Sequence, residues 1–355
     1  MQVILLSSPY PDKLILLNQD HPIARRVRRK GCLMKTILKK VPIPMAGLAL
    51  GLAALGNLLQ SFSSDIRLLC GAVSAILWIL VMAKIALFPQ MIRKDLSNPI
   101  VASVSGTVFM TAMQLAVYAK PIFGEYAVLI WFAAISGHAA LIVWFSWTYM
   151  RHLKLSNVYP TFFIAYVGIV VASVTAPQFG MEWLGMMIFR FGFAVYMLLL
   201  VLVSARYILR TVPLAARPLF CIYTAPMSLC LTGYLSVANP TSPVIPITMG
   251  ILAQVLYALV LIRLPKLLRL PFFPSFAAFT FPFVITATGL KTLLAWLEGA
   301  GYAVPAILHL LVIAETLVAV GLVGYTLIRY LRHLSCGSER RSQALLFEEC
   351  QWCCT

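Results

Sequence analysis

Long apolar stretches alternate with short polar connections along most of the chain. A helix of about 20 apolar residues is long enough to cross roughly 30 Å of hydrocarbon. The alternation therefore predicts an all-α polytopic membrane protein with ten transmembrane helices. The predicted spans are 42–60, 66–87, 99–118, 126–149, 158–176, 182–206, 216–238, 243–264, 273–296 and 303–330.

The composition agrees with this prediction. Of the 355 residues, 61% are hydrophobic and only 11% are charged, and the mean hydropathy is +0.91. A soluble domain usually has about a quarter of its residues charged. This chain has more apolar residues than one water-soluble core can bury, so the class of soluble globular proteins is excluded.

The basic residues predict the orientation in the membrane. Of the 28 Lys and Arg residues, 24 flank the predicted spans on one side, whereas Arg67 and Lys120 alone lie on the other. This bias places both termini in the cytoplasm. It also explains the net charge of +17 without nucleic acid, because no basic stripe is interleaved with aromatic residues. The predicted domains are a basic N-terminal segment 1–40, a membrane domain 41–333 and a cytoplasmic tail 334–355.

A sequence pattern recurs in every second span. A proline is followed seven residues later by a glycine in four spans and eight residues later in a fifth. The pairs are Pro44 and Gly51, Pro99 and Gly106, Pro160 and Gly168, Pro226 and Gly233, and Pro282 and Gly289. Proline disturbs a helix and glycine removes side-chain bulk, and such backbone is tolerated in a membrane where it lines a cavity. We expect five bent helices around a central pore, with five outer helices; close packing of small residues is the alternative explanation.

The segments VPIPMAGLALGLAALGNLL at 41–59 and FAAFTFPFVITATG at 276–289 resemble the tellurite-resistance/C4-dicarboxylate transporter family, which includes the slow-type anion channels of plant guard cells. The resemblance extends over roughly residues 40–333. It implies five helical hairpins around a central pore, a homotrimer, and a gating Phe on the ninth helix. Phe281, directly before Pro282, matches that gate; a shift of register to Phe283, or a simple packing role for Phe281, stays open.

Three charged residues lie within predicted spans and away from the span ends. Arg190 and Glu315 are both near the middle of outer helices, which run in the same direction, so an ion pair between them is plausible. Lys291 lies near the outer end of the ninth span. It either attracts anions at the pore mouth or extends toward the lipid headgroups.

Other chemistry has little support in the sequence. His138 and His309 have no Cys, Asp or Glu at ligand spacing, and no hydrolase or nucleotide-binding motif occurs, so neither a metal, a cofactor nor an enzyme is predicted. The cysteines Cys350, Cys353 and Cys354 cluster in the tail, where reduced thiols are expected and palmitoylation or metal capture is the alternative. A receptor or scaffold function would rest on this tail alone.

The sequence therefore predicts a plasma-membrane channel or facilitator for small anions. The helix starts at the proline positions and the basic cytoplasmic rim would supply the positive potential. The alternative is a proton-coupled transporter of a C4-dicarboxylate, sulfite or a tellurite-type oxyanion. Such a transporter needs an ionisable residue within the pore, and the inner spans offer only Lys291.

Overall fold

The computed structural model describes residues 38–335. The chain divides into two units, Met1–Val41 and Pro42–Thr355, and residues 38–41 are the described part of the first. Most of the basic segment 1–40 and of the tail 334–355 lies outside the described residues, as does the cysteine cluster of the tail.

The described residues of the second unit are helical throughout, with short turns between helices and no strand among them. The α-helices are α1 Met45–Leu59, α2 Ser64–Leu87, α3 Pro89–Asp95, α4 Pro99–Val104, α5 Gly106–Phe123, α6 Ala127–Phe145, α7 Thr161–Val167, α8 Val171–Thr175, α9 Glu182–Leu209, α10 Ala225–Val237, α11 Val244–Leu268, α12 Phe281–Gly299 and α13 Ala306–Ser335. The 3-10 segments are Gly124–Tyr126, Leu155–Asn157, Gly168–Val170, Ala176–Phe179, Leu214–Thr224 and Pro274–Phe279, and α6 continues into a π-helical turn, Ser146–Met150.

Each predicted span coincides with a helical stretch of the structure. Eight stretches within residues 38–335 are long and apolar enough to cross a membrane, and α1 is a shorter apolar helix. One of the eight, Pro99–Met150, contains 52 residues. This stretch is interrupted at Gly124, where α5 ends. Gly124 has a φ of 57°, a backbone conformation that favours glycine. The described chain is thus an all-helical, polytopic membrane protein.

Burial separates the helices into two sets. In three spans, 72–83% of the residues in the most apolar stretch are buried. These spans are Thr161–Phe179, Leu214–Val237 and Pro274–Gly299. In α1, 13 of the 15 residues are buried. By contrast α2, α9, α11 and α13 bury only 28–33%, and α6 buries five of its 19 residues. We call 44–59, 99–123, 160–179, 214–237 and 274–299 the inner segments, and α2, α6, α9, α11 and α13 the outer helices.

The outer helices are apolar on both faces, which explains their exposure. Large apolar side chains such as Leu198, Val201, Ile262 and Leu317 are more than 60% exposed. In water such a surface would drive aggregation, whereas in a bilayer it contacts lipid tails. The inner segments are therefore shielded from lipid by the outer helices.

Candidate functional site

A cavity of about 1460 Å³ lies within the second unit, and all five inner segments line it. Of the outer helices only α9 reaches it, through Arg206 near the C-terminal end of that helix. The connections 91–98, 154–159 and 210–213 complete its wall. The alternation of inner and outer segments along the chain thus corresponds to lining and non-lining segments in the structure.

The cavity ends part-way along the inner segments. The lining residues farthest along the five segments are Leu50, Met110, Gly168, Leu229 and Pro282. Beyond these positions neighbouring inner segments remain in contact, and no later residue of these segments lines the cavity. The cavity is therefore open toward the ends at which the inner helices begin, and closed toward the opposite ends.

Backbone contacts at the pattern glycines connect neighbouring inner segments. A Cβ atom at Gly51 of α1 would lie 2.6 Å from the Thr280 Cβ and 2.9 Å from the Phe281 backbone nitrogen at the start of α12. A Cβ atom at Gly289 of α12 would lie 3.2 Å from the Ser228 carbonyl oxygen on α10. A side chain at either position would push two inner segments apart.

The other three pattern glycines also lie in close contact with a neighbouring inner segment. A Cβ atom at Gly233 of α10 would lie 2.8 Å from Val170 in the segment between α7 and α8. At Gly106, which begins α5, it would lie 3.3 Å from the Ile164 carbonyl oxygen of α7. At Gly168 it would lie 2.6 Å from the Met110 sulfur of α5. Four of the five pattern glycines thus face neighbouring segments rather than the cavity, which only Gly168 lines.

Hydroxyl side chains supply hydrogen bonds at these contacts. Thr111 of α5 donates to the Ala46 carbonyl of α1 at 3.0 Å, which closes the ring between the first and second inner segments. Thr280 donates to the Gly47 carbonyl of α1 at 3.0 Å. Ser228 of α10 donates to Thr286 of α12 at 3.2 Å. Other hydroxyl bonds across the ring include Ser103 to Thr161 at 2.7 Å.

The pattern prolines lie at the starts of α-helices, so they mark breaks between helical segments and not bends within continuous helices. Pro44 and Pro160 immediately precede α1 and α7, Pro99 is the first residue of α4, and Pro226 and Pro282 lie in the first turns of α10 and α12. Proline fits there because the first backbone N–H groups of a helix have no intrahelical acceptor. All except Pro160 line the cavity.

Phe281 and Phe283 occupy different environments. Phe281 is 5% exposed and lines the cavity at its closed end. Phe283 is fully buried and does not line the cavity; its ring packs edge-on against Tyr257 of α11, with 5.8 Å between ring centres. The two residues lie about 200° apart around a 3.6-residue helix, which explains the difference.

The Lys291 side chain forms hydrogen bonds at the C-terminal end of α1. Its ammonium donates to the Leu58 carbonyl at 3.1 Å and to the Ser61 hydroxyl at 2.6 Å, and it lies 5.8 Å from the Phe62 ring centre. Cations stabilise helix C-termini, where carbonyl groups lack intrahelical donors. Lys291 therefore holds α1 to α12 and does not line the cavity.

The ion pair predicted between Arg190 and Glu315 does not form, so this prediction was wrong. Arg190 is exposed on the outer surface of α9. Glu315 of α13 is 1% exposed and faces the Gln254 amide, outside the geometry of a regular hydrogen bond. Similar depth in the membrane is compatible with different directions around a helix, and the two side chains point to different surroundings.

His138 belongs to the outer helix α6, yet it is fully buried against two inner segments. Its Nε2 lies 3.0 Å from the Ala165 carbonyl oxygen. A Cβ atom at Gly106 or Gly168 would lie 3.3 or 3.1 Å from its Cε1. The ring thus fills space that two pattern glycines leave open, a relationship between α6 and the pattern that sequence spacing alone does not reveal.

Basic residues surround the open end of the cavity. Five cationic side chains line it there, with Asp95 as the acidic one among the lining residues. The cationic residues are Lys94, Lys154, Arg206, Arg210 and Arg217. Asp95 forms an ion pair with Lys84 at 3.5 Å. The open end of this cavity therefore has a positive electrostatic potential.

A ring of five helical segments surrounds a cavity with a basic entrance, and this arrangement agrees with the protein family that the sequence matches. Residues 40–331 match the SLAC1 family, described as voltage-dependent anion channel. The chain belongs to this family. Members of the SLAC1 family are channels and transporters that move anions across membranes, so the family membership confirms the resemblance and the membrane anion-transport class. No curated protein sequence matches the chain significantly.

Proposed function

We propose that this SLAC1-family protein is a channel or facilitator for small anions, with the central cavity as one half of its conduction pathway and Phe281 as its gate. The observation that carries the proposal is the position of Phe281 at the closed end of a cavity lined by all five inner segments. Beyond Phe281 the inner segments pack against one another. An apolar ring at such a constriction excludes water and therefore ions.

Anion preference in this pathway does not require a charged residue at the gate. Four inner helices, α1, α4, α10 and α12, begin at residues next to or in the cavity wall, and helix N-termini carry partial positive charge. The basic open end adds to this potential and raises the local anion concentration. Weak attraction by dipoles allows easy release, which conduction requires.

The proposed topology has ten crossings arranged as five hairpins. Pro99–Met150 is long enough for two crossings, since 52 helical residues extend to about 78 Å. The basic bias supports a cytoplasmic location for the cavity entrance and both termini, and the plasma membrane is the proposed location of the protein. A homotrimer is proposed from the family resemblance, and the exposed apolar faces of the outer helices accommodate both lipid and neighbouring subunits.

Reversal potentials in reconstituted bilayers test the proposal. Under a chloride gradient the reversal potential should follow the chloride equilibrium potential and stay constant when a pH gradient is added. A shift with the pH gradient at fixed chloride would favour the proton-coupled transporter of C4-dicarboxylate or oxyanions instead. Absence of both anion current and anion flux into proteoliposomes from correctly folded protein would refute both functions.

A further inference from the structure

Arg206 differs from the other basic residues at the cavity entrance because it is buried. Its side chain is 2% exposed although it lines the cavity, whereas Arg210 nearby is exposed. The guanidinium lies 4.9 Å from the Tyr159 ring centre and 5.6 Å from that of Tyr207, and both rings hold its plane in place. A cation fixed in this way loses little conformational entropy when it binds a ligand.

The donors of Arg206 are only partly used. Its Nη1 donates to the Arg210 carbonyl at 3.0 Å and to the Thr211 carbonyl at 2.9 Å. Its Nε is buried and has no hydrogen-bond partner, and Nη2 makes no hydrogen bond to any residue in 38–335. No carboxylate among these residues pairs with it. A buried, uncompensated cation is unfavourable unless a counter-charge approaches it.

We infer that Arg206 forms a binding site for a small inorganic anion of the chloride or nitrate type at the cytoplasmic end of the cavity. The inference rests on the proposed function and identifies the first residue that an anion entering from the cytoplasm binds. In the proposed site Nη2, which makes no hydrogen bond to residues 38–335, donates to the anion, and the anion offsets the buried charge. The exposed cations around the entrance contribute attraction at longer range.

Bromide binding to the full-length protein tests the site directly. Crystals grown with bromide in place of chloride should give an anomalous peak within hydrogen-bond distance of Nη2 of Arg206. The peak should disappear in Arg206→Gln and persist in Arg190→Gln, which removes an exposed arginine from the same helix outside the cavity. No peak in the wild-type protein would overturn the inference, and so would a peak that persists in Arg206→Gln.

The chloride dependence of flux into proteoliposomes supplies a second measurement. Arg206→Gln should raise the half-saturating cytoplasmic chloride concentration about tenfold, the size expected for one lost charge-assisted hydrogen bond. Arg210→Gln, which removes the same charge from an exposed position, should have a clearly smaller effect, and Arg206→Lys should lie between wild type and Arg206→Gln. Equal effects of the Arg206 and Arg210 substitutions would indicate a diffuse field and overturn the site.

The two measurements also separate this inference from the proposed function. Wild-type protein that carries anions but binds no bromide at Arg206 refutes the site alone. Protein that binds bromide there but carries no anion current refutes the proposed function and retains the site. If Arg206→Gln fails to fold because its carbonyl contacts are lost, the wild-type bromide peak still decides the inference.

Discussion

Truncation of Phe281 to Ala should open the pathway. In the structure the Phe281 ring is 5% exposed, so a ring that swings aside into the cavity loses most of its burial. Burial of a Phe side chain is worth about 1.5–3 kcal/mol. Removing this barrier should raise the open population, and with it the anion conductance, by about 10- to 100-fold. The ratio of chloride to nitrate permeability should stay nearly constant because no charge changes.

Phe283→Ala is the matched control for this prediction. Phe283 lies two residues farther along α12, is fully buried and packs against Tyr257 rather than the cavity. Its truncation should cost about 3–5 kcal/mol of stability, as Phe-to-Ala changes in cores usually do, without a rise in conductance. Phe281→Ala should cost less, because one side of the ring already borders the cavity.

Single-channel or flux recordings at matched surface expression distinguish the outcomes. A large increase in conductance for Phe283→Ala, with no change for Phe281→Ala, would show that Phe283 and not Phe281 is the gate. An increase from neither substitution would refute an aromatic gate on α12 and would leave the constriction to the packed inner segments.

Three further comparisons of variants test contacts that the structure shows or lacks. Gly51→Ala should destabilise the protein by about 1–3 kcal/mol through overpacking, whereas Gly321→Ala, where an added methyl meets nothing within 4 Å, should not; thermal unfolding in detergent compares them. Glu315→Gln and Arg190→Gln should each change the unfolding midpoint by no more than a few degrees, and their effects on stability should be additive in the double variant. A loss of stability in either single variant that the double variant restores would show that the two residues form an ion pair. Lys291→Met should cost about 1 kcal/mol from the lost hydrogen bonds while chloride selectivity stays unchanged, and a changed selectivity would show that Lys291 acts on the pathway.

The segment-level architecture was predictable because it depends on length and periodicity. Span length follows from membrane thickness, and the repeated proline and glycine marked the segments that line the cavity. The contrast between Phe281 and Phe283 was also predictable, since a two-residue step on a helix reverses the direction of a side chain. These features depend on local geometry alone.

Side-chain partners were not predictable from depth in the membrane. Arg190 and Glu315 have comparable depth, but the directions of their side chains depend on the rotation of α9 and α13 in the bundle. Arg206 follows a long apolar stretch as the other flanking basic residues do, and the sequence does not reveal that it is buried at the cavity wall. Lys291 looked free in the sequence because its partner Leu58 lies 233 residues away in the chain.

The contacts around Phe281 also limit how the proposed gate opens. Gly51 brings α1 so close to Thr280 and the Phe281 backbone that the start of α12 has no room to move toward α1. The Thr280 hydroxyl also donates a hydrogen bond to the Gly47 carbonyl of α1. Close-packed contacts of this kind are not continuously deformable. Opening is therefore expected from rotation of the Phe281 side chain into the cavity, with the ring of inner segments left in place.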